Sequence, residues 1–325
     1  MLYPLKFKKV FIEKIWGGKN LEKKLNIHLP KNKNIGESWE ISAHPNGMGI
    51  ALNGKLKGKT LKEIYSEYKD KLVGKKVFEK YPDKFPLLIK YLDVNDRLSI
   101  QVHPSDEVAL KKHNEFGKSE SWYIMEASDD ATLIMGMKPG ITKEKFLEKV
   151  EKNDFDGLFE EKTVKKGDFI DITPGTVHAS LKGSVLFAEV QQNSDVTYRI
   201  YDFDRIDKNG KKRELHLQDS ADVIDFGKEV EIKNTDFDDS ENGKDILRKH
   251  IIKKEYYSID KVKFTDSFED VNNESMTIYS VLEGEGKIAW GENEELAIKK
   301  GETVLIPVGI NTKTIGNFEI LRTVI

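Results

Sequence analysis

The sequence contains no cysteine, which excludes disulfide bonds and thiolate metal ligands. It also lacks a long apolar run, since no stretch approaches the roughly 18 residues that a membrane-spanning helix needs. Residues 1–16 lack the uninterrupted apolar region of a signal peptide. Together these absences predict a cytoplasmic protein with no membrane partner.

An excess of charge of one sign is missing as well. The chain has 53 lysines and arginines against 56 acidic residues, and its net charge is −3. The lysines are spread along the sequence rather than gathered in one arm, which argues against a nucleic-acid partner. With 34% charged and 38% hydrophobic residues, the 325 residues have the composition of a globular protein with one or two cores.

The strongest functional pattern lies within residues 87–123. From Leu98 to His103 apolar and polar residues alternate, so in a strand Gln101 and His103 would share the face opposite the core. The sequence GKSE then leads into a second predicted strand, which would bring Glu120 beside this pair.

A fourth polar group comes from residues 166–178, which read as a turn, a strand, a tight turn and His178. Gln101, His103, Glu120 and His178 would form a cage of nitrogen and oxygen ligands for a divalent metal. Imidazole and carboxylate suit zinc and its neighbours, and the Gln101 amide oxygen is a weaker donor. Three of the remaining histidines are interpreted as ordinary surface or core residues, namely His28, His113 and His250. The roles of His44 and His216 are left open.

The secondary-structure pattern indicates a mainly β chain with a few helices. Residues 60–72 predict an amphipathic helix with a capping box at Thr60, and residues 142–153 predict another. A polar, acidic stretch at 236–244 predicts a domain boundary, which divides the chain into residues 1–240 and 241–325. A turn is predicted at 207–211. Short strands spaced along the C-terminal part predict a jelly roll or sandwich: 256–262, 276–282, 287–290, 302–307 and 318–324.

The C-terminal part resembles a degenerate copy of the preceding domain. Residues 301–309 parallel residues 167–175, and Thr312 stands where a ligating histidine would be. No histidine follows His250, so this copy cannot build an imidazole site and is interpreted as structural.

Several motifs together resemble the type I mannose-6-phosphate isomerases, zinc enzymes of the cupin superfamily. They are LIKYLD, LSIQVHP, GKSESWY, ITPGTVHA and TYRIYDFDR, within a resemblance that runs from Ile15 to Arg205. The resemblance implies cupin jelly-roll domains, the second degenerate. It also implies one Zn²⁺ per chain, with other divalent metals as alternatives, on Gln101, His103, Glu120 and His178.

The reaction implied by this resemblance interconverts D-mannose 6-phosphate and D-fructose 6-phosphate through a cis-enediol. Arg199, Lys118 and Asp195 are the implied catalytic residues. Two of these residues also have a non-catalytic interpretation. Arg199 would form a surface ion pair with Asp195 or Asp202, and Lys118 would be a solvated lysine. The general base stays open among Lys118, Asp195, His44 and a metal-held water.

Two other functions fit a metal cupin. One is a different metal enzyme such as a dioxygenase, although glutamine in place of a histidine leans away from oxygen chemistry. The other is a non-catalytic sugar-binding cupin. The charge balance favours a small phosphosugar as the partner, because a divalent cation with one carboxylate ligand leaves a positive site and Lys118 and Arg199 add to it. The oligomeric state is open between monomer and homodimer.

Overall fold

The structure is a computed structural model that describes residues 2–206, 210–238 and 244–325. The predicted domain boundary and most of the predicted turn at 207–211 fall outside the described residues. The strands are β1 (Leu5–Lys6), β2 (Val10–Gly18), β3 (Ile35–Ile41), β4 (Leu87–Val94), β5 (Ile100–Val102), β6 (Glu120–Ala127), β7 (Thr132–Met137), β8 (Phe159–Thr163), β9 (Asp168–Ile172), β10 (His178–Lys182), β11 (Val185–Gln192), β12 (Tyr198–Tyr201), β13 (Ile232–Asn234), β14 (Ile246–Lys253), β15 (Ser258–Phe264), β16 (Ser267–Asp270), β17 (Thr277–Trp290), β18 (Glu294–Lys299), β19 (Thr303–Ile306) and β20 (Thr312–Val324).

The helices are short, which agrees with the prediction of a mainly β fold. They are α1 (Asn20–Leu25), α2 (Leu61–Tyr68), α3 (Asp70–Val73), α4 (Lys75–Lys80), α5 (Asp106–His113), α6 (Lys143–Glu151) and α7 (Leu217–Val223), with a 3-10 turn at Gly54–Leu56. Among the described residues, no helix combines the length and the hydropathy that crossing a bilayer requires.

Within the described residues the strands form three antiparallel sheets. A seven-stranded sheet has the order β13-β9-β6-β11-β4-β2-β3, and a five-stranded sheet has the order β12-β5-β10-β7-β8. The two sheets face each other across one core, to which Trp122 and Phe187 contribute from the larger sheet and Leu133 and Met135 from the smaller. This sandwich holds the candidate site.

The other face of each sheet is also covered. On the five-stranded sheet, Ile100 and Val102 pack with Phe146 of α6 and Ala221 of α7. On the seven-stranded sheet, residues such as Tyr91 pack in one cluster with residues of the C-terminal sheet. Because strand side chains alternate between faces, this leaves Gln101, the intervening polar residue of β5, to face the inside of the sandwich.

The C-terminal sheet contains β1, β19, β17, β20, β15 and β14 in that order. In addition, β16 pairs with β20 and β18 pairs with β17. It closes around a core of its own, which includes Phe264, Val281 and Ile320. The N-terminal strand β1 pairs with β19, so the first residues of the chain complete the last sheet. The prediction of a mainly β fold is confirmed.

Several element boundaries differ from the sequence prediction, and two of the differences have a clear physical reason. The helix predicted over 60–72 has the capping box at Thr60 but ends at Tyr68, because Lys69 takes a positive φ of 50° before α3 begins. The strands predicted at 276–282 and 287–290 are one strand, β17. Gly284 lies within this strand and not in a turn. A Cβ at this position would lie 1.8 Å from the Asn317 carbonyl oxygen, so glycine is needed here for β20 to approach β17 this closely.

Candidate metal centre and active site

The first half of the site lies on three neighbouring strands of the five-stranded sheet. Gln101 of β5 pairs with His178 of β10 on one side and with Arg199 of β12 on the other. Residues paired directly across antiparallel strands point to the same face, so these three side chains form a row. His103 follows Gln101 by two residues and returns to that face.

Glu120 approaches this row from the first residue of β6, in the opposite sheet. Its Oε1 lies 3.2 Å from His178 Nε2, and its Oε2 lies 3.6 Å from His103 Nε2. The candidate ligand atoms of these three residues all lie within 4.8 Å of one another, and all three residues are buried. The two sheets therefore bring together three of the four ligands that the sequence predicted.

Backbone carbonyls fix the orientation of both imidazoles. His103 Nδ1 lies 2.9 Å from Val196 O, and His178 Nδ1 lies 2.9 Å from Thr176 O. Each Nδ1 must carry the hydrogen to donate to a carbonyl, which leaves a lone pair on Nε2 facing Glu120. Burial lowers the pKa of His178 to about 4 and that of His103 well below its usual value, so both rings are neutral at pH 7.

The cluster is suited to a cation. Among the described residues, neither Glu120 Oε1 nor His178 Nε2 has a hydrogen-bond donor, although both atoms are buried. Glu120 Oε2 is contacted by the Lys118 ammonium. Buried acceptors without a donor are unfavourable, and a divalent ion between Glu120 Oε1 and His178 Nε2 would satisfy both. Two imidazoles and a carboxylate, with the amide of Gln101 beside His178 in register, are a donor set that fits zinc.

Lys118 lies at the edge of this cluster and is buried rather than solvated. Its Nζ is 2.9 Å from Glu120 Oε2 and 3.1 Å from His103 Nε2. Burial alone lowers the pKa of Lys118, but the carboxylates of Glu120 and Glu189 outweigh burial and raise it. The ammonium therefore contacts the same nitrogen and carboxylate atoms that a metal ion would contact.

A polar cavity of about 280 Å³ opens beside the cluster. Five cationic and three anionic side chains line it, which gives it a positive balance suited to an anionic ligand: Lys14, Lys90, Lys118, Arg199 and Arg213 against Glu37, Glu189 and Asp195. Gln101 and Trp16 also line the cavity, so Trp16 both packs and faces this space.

Arg199 faces the cavity without an ion pair to Asp195 or Asp202 in the described residues. Its Nη1 donates to Glu214 O at 3.0 Å, and its backbone N donates to His216 Nδ1 at 3.1 Å. Asp202 is instead bound by Arg205 and Arg213. The ion-pair interpretation of Arg199 is therefore wrong, and its guanidinium is available to a ligand in the cavity.

Asp195 and His44 differ in their relation to the cavity. Asp195 is an exposed residue of the lining, and its Oδ2 accepts a hydrogen bond from Asn46 Nδ2 at 2.9 Å. His44 does not belong to that lining. It borders a neighbouring pocket, and its Nδ1 accepts a hydrogen bond from Asn46 N at 3.2 Å.

Sequence reasoning missed two ion pairs on the wall formed by the seven-stranded sheet. Lys90 lies 3.2 Å from Glu189, and Lys14 lies 2.8 Å from Glu37. The signal was a charged residue inside an apolar strand, as in LLIKYLDV and VLFAEVQQ. Buried lysine and glutamate are rare unless paired, and the partner cannot be read from local sequence.

The chain matches known proteins along almost its whole length. Residues 4–130 match the model of the type I phosphomannose isomerase catalytic domain, and residues 247–325 match the mannose-6-phosphate isomerase cupin domain. It is 40% identical to mannose-6-phosphate isomerase ManA of Bacillus subtilis (strain 168), with 94% of each chain covered. It is 36% identical to the mannose-6-phosphate isomerase of Streptococcus mutans, covering 99% of this chain and 98% of that one.

A solved structure extends the likeness to the fold. The crystal structure of mannose 6-phosphate isomerase from Bacillus subtilis aligns with a TM-score of 0.87 at 36% identity and covers all of both chains. The expected cupin fold is thereby confirmed. On this combined evidence the chain belongs to the type I mannose-6-phosphate isomerases, a family of enzymes.

Proposed function

We propose that this enzyme interconverts D-mannose 6-phosphate and D-fructose 6-phosphate and needs one divalent metal ion, Zn²⁺, per chain. The main support for the proposal is the buried His103–Glu120–His178 cluster, which lies beside a cavity with more cationic than anionic side chains, next to the lining residues Gln101 and Lys118. Family membership favours this function over a dioxygenase or a non-catalytic sugar-binding cupin.

His103, Glu120 and His178 would hold the metal, with Gln101 as the fourth and weakest ligand. In such a site a bound zinc ion supplies Lewis acidity, which polarises an oxygen of the sugar. The proposal of one ion per chain agrees with the C-terminal sheet, where Thr312 replaces the expected histidine. Thr312 Oγ1 donates to the Asp270 carbonyl at 3.3 Å and is thus used in packing.

The aldose–ketose change requires a proton to move between C2 and C1 and negative charge to develop on the neighbouring oxygens. Arg199 is proposed to stabilise that charge, since its guanidinium lines the cavity beside Gln101. Arg199 stays protonated and therefore does not act as the base.

Lys118 and Asp195 are the proposed groups for proton transfer, and they differ in depth. Lys118 is buried beside Glu120, whereas Asp195 is exposed at the mouth. If the sugar oxygens reach the metal ligands, the reacting carbons lie at the deep end, which favours Lys118 by position. To act as the base, Lys118 would first have to lose the proton that Glu120 and Glu189 stabilise on its ammonium. The phosphate, which carries close to two negative charges at pH 7, would then lie among the other cations of the cavity.

A coupled assay on mannose 6-phosphate tests this function directly. We expect the purified protein to isomerise the sugar, a chelator to abolish the reaction, and added Zn²⁺ to restore it. A protein that binds Zn²⁺ stoichiometrically but does not isomerise mannose 6-phosphate would favour the sugar-binding cupin. The cytoplasmic location remains a prediction from the sequence.

A further inference from the structure

The carboxylate of Asp106 connects separate parts of the chain. Its Oδ1 accepts hydrogen bonds from Gly117 N at 2.7 Å and from Gln192 Nε2 at 2.9 Å. Its Oδ2 accepts a hydrogen bond from the Tyr256 hydroxyl at 2.9 Å. Tyr256 lies 150 residues further along the chain, in the turn between β14 and β15 of the C-terminal sheet. One carboxylate thus joins that sheet to the segment preceding β6.

The segment held in this way, residues 117–119, carries Lys118 and leads directly into Glu120. All three of its backbone N–H groups donate hydrogen bonds: to Asp106 Oδ1, to Pro104 O at 3.1 Å and to Gln192 Oε1 at 2.9 Å. A Cβ on Gly117 would lie 2.4 Å from the Asp106 nitrogen, so the segment packs tightly on the start of α5. Asp106 therefore controls two of the three anchors, one directly and one through Gln192.

The same C-terminal turn also touches β6. The Tyr257 hydroxyl lies 3.0 Å from Ser121 Oγ, and Lys254 Nζ donates to the Glu120 carbonyl at 3.4 Å. Lys254 is in turn paired with Asp171 of β9. Residues 254–257 thus contact the strand that carries Glu120 at two successive positions, and Tyr256 reaches its preceding segment through Asp106.

We propose that Tyr256 is a positioning residue for the active site, acting through Asp106 on Lys118 and Glu120. The inference rests on the proposed metal site, since it assigns to the C-terminal sheet a share in fixing one metal ligand. Partners that hold a ligand in place commonly change metal affinity 10–100-fold when they are removed. A hydroxyl donating to a carboxylate is among the stronger hydrogen bonds available for this purpose.

Tyr256→Phe is the sharpest test, because the ring stays and only the hydroxyl is lost. Tyr279→Phe is its matched control. The Tyr279 hydroxyl also donates to an aspartate, Asp270 Oδ2, at 2.7 Å, but within the C-terminal sheet and with no contact to the site. Both variants lose one tyrosine–aspartate hydrogen bond, so both should lower Tm.

The two variants should differ in metal binding and turnover. For Tyr256→Phe, titration of Zn²⁺ into the metal-stripped protein should give a Kd about tenfold weaker. With Zn²⁺ saturating, kcat should fall about fivefold while KM changes less than twofold. Tyr279→Phe should keep wild-type Zn²⁺ affinity and kcat. Wild-type Zn²⁺ affinity and kcat in Tyr256→Phe, with only Tm reduced, would overturn the proposal.

A double-mutant cycle tests whether the effect passes through Asp106. Asp106→Asn preserves the size of the side chain but removes its charge and one acceptor oxygen. In the Asp106→Asn background, adding Tyr256→Phe should change the Zn²⁺ Kd by less than twofold, because the carboxylate that accepts the hydrogen bond from the Tyr256 hydroxyl is already absent. If the two substitutions weaken Zn²⁺ binding independently and fully additively, Tyr256 does not act through Asp106.

Discussion

His178 Nε2 lies 3.2 Å from Glu120 Oε1, although the two residues come from opposite sheets of the sandwich. A metal ion held by these atoms would join the two sheets. His103, which follows β5 in the same sheet as His178, would bind the same ion. Binding to the folded state alone stabilises a protein by RT ln(1 + [L]/Kd), or about 2.7 kcal/mol when free ligand is about 100 times Kd. The metal should therefore contribute to stability as well as to catalysis.

Removal of the metal should lower Tm. We expect a chelator to lower the Tm of the wild-type protein by several degrees and Zn²⁺ to restore it, as measured by calorimetry. His178→Ala is the control, because its Tm should not respond to chelator. An identical Tm for the wild-type protein with and without chelator would contradict a metal bridge between the sheets.

The ligand set predicts a graded loss of metal. His103→Ala, His178→Ala and Glu120→Ala each remove one of the clustered donors and should leave little zinc by elemental analysis. Gln101→Ala should be the mildest of the four, since an amide oxygen is the weakest donor. Full zinc content in the three severe variants would refute the assigned site.

Arg199 should act mainly on turnover. Arg199→Ala should retain zinc and lower kcat by more than it raises KM, because charge on the sugar oxygens develops in the transition state. Arg199→Lys should recover little, since a flexible point charge does not reproduce the planar fork. Arg248→Ala, which removes a guanidinium bound to Asp260 in the C-terminal sheet, is the control and should leave kcat unchanged. Wild-type kinetics in Arg199→Ala would remove Arg199 from the mechanism.

The C-terminal copy should tolerate replacement of Thr312, which stands where a ligating histidine would be. Thr312→Ala removes one hydrogen bond to a buried carbonyl, so it should reduce stability by about 1 kcal/mol and leave kcat within about twofold of wild type. Urea unfolding and the coupled assay measure the two effects. A hundredfold loss of kcat with the fold intact would show that this copy takes part in the reaction.

Acid should destabilise the fold through Glu37. Burial raises the pKa of this carboxyl, but Lys90, Lys14 and hydrogen bonds outweigh it and lower the pKa from 4.5 to about 2. Because the folded-state pKa is depressed, the stabilisation is present above pH 4.5 and is lost as the pH falls towards 2. It is on the order of 3 kcal/mol, at about 1.4 kcal/mol for each tenfold change in proton affinity.

Glu37→Gln isolates this contribution. The variant should be less stable than wild type at pH 7, and its stability should fall less between pH 5 and pH 2, as measured by urea unfolding. Equal acid sensitivity of the two proteins would assign the acid response to other carboxyl groups.

Local pattern predicted much of this fold. The capping box located the start of α2, and the alternation around Gln101 correctly placed Gln101 and His103 on one face. The predictions that failed concern features set by contacts between residues far apart in the sequence. β17 continues through Gly284 because β20 packs against it, and nothing in the residues 276–290 reveals that partner.

The same limit applies to the site. The motifs around His103, Glu120 and His178 carried local turn and strand signals, whereas Lys90 and Glu189 became recognisable as a pair only when β4 and β11 lay side by side. The contact of Tyr256 with Asp106 spans 150 residues and has no local signature.

Isomerisation is proposed to depend on a metal ion held by the His103–Glu120–His178 cluster. The most direct measurement adds Zn²⁺ stepwise to the metal-stripped enzyme while following mannose 6-phosphate isomerisation and bound zinc together. Activity should rise in proportion to bound zinc and stop rising at one ion per chain. Full activity in protein shown to contain no metal would show that isomerisation does not depend on the ion.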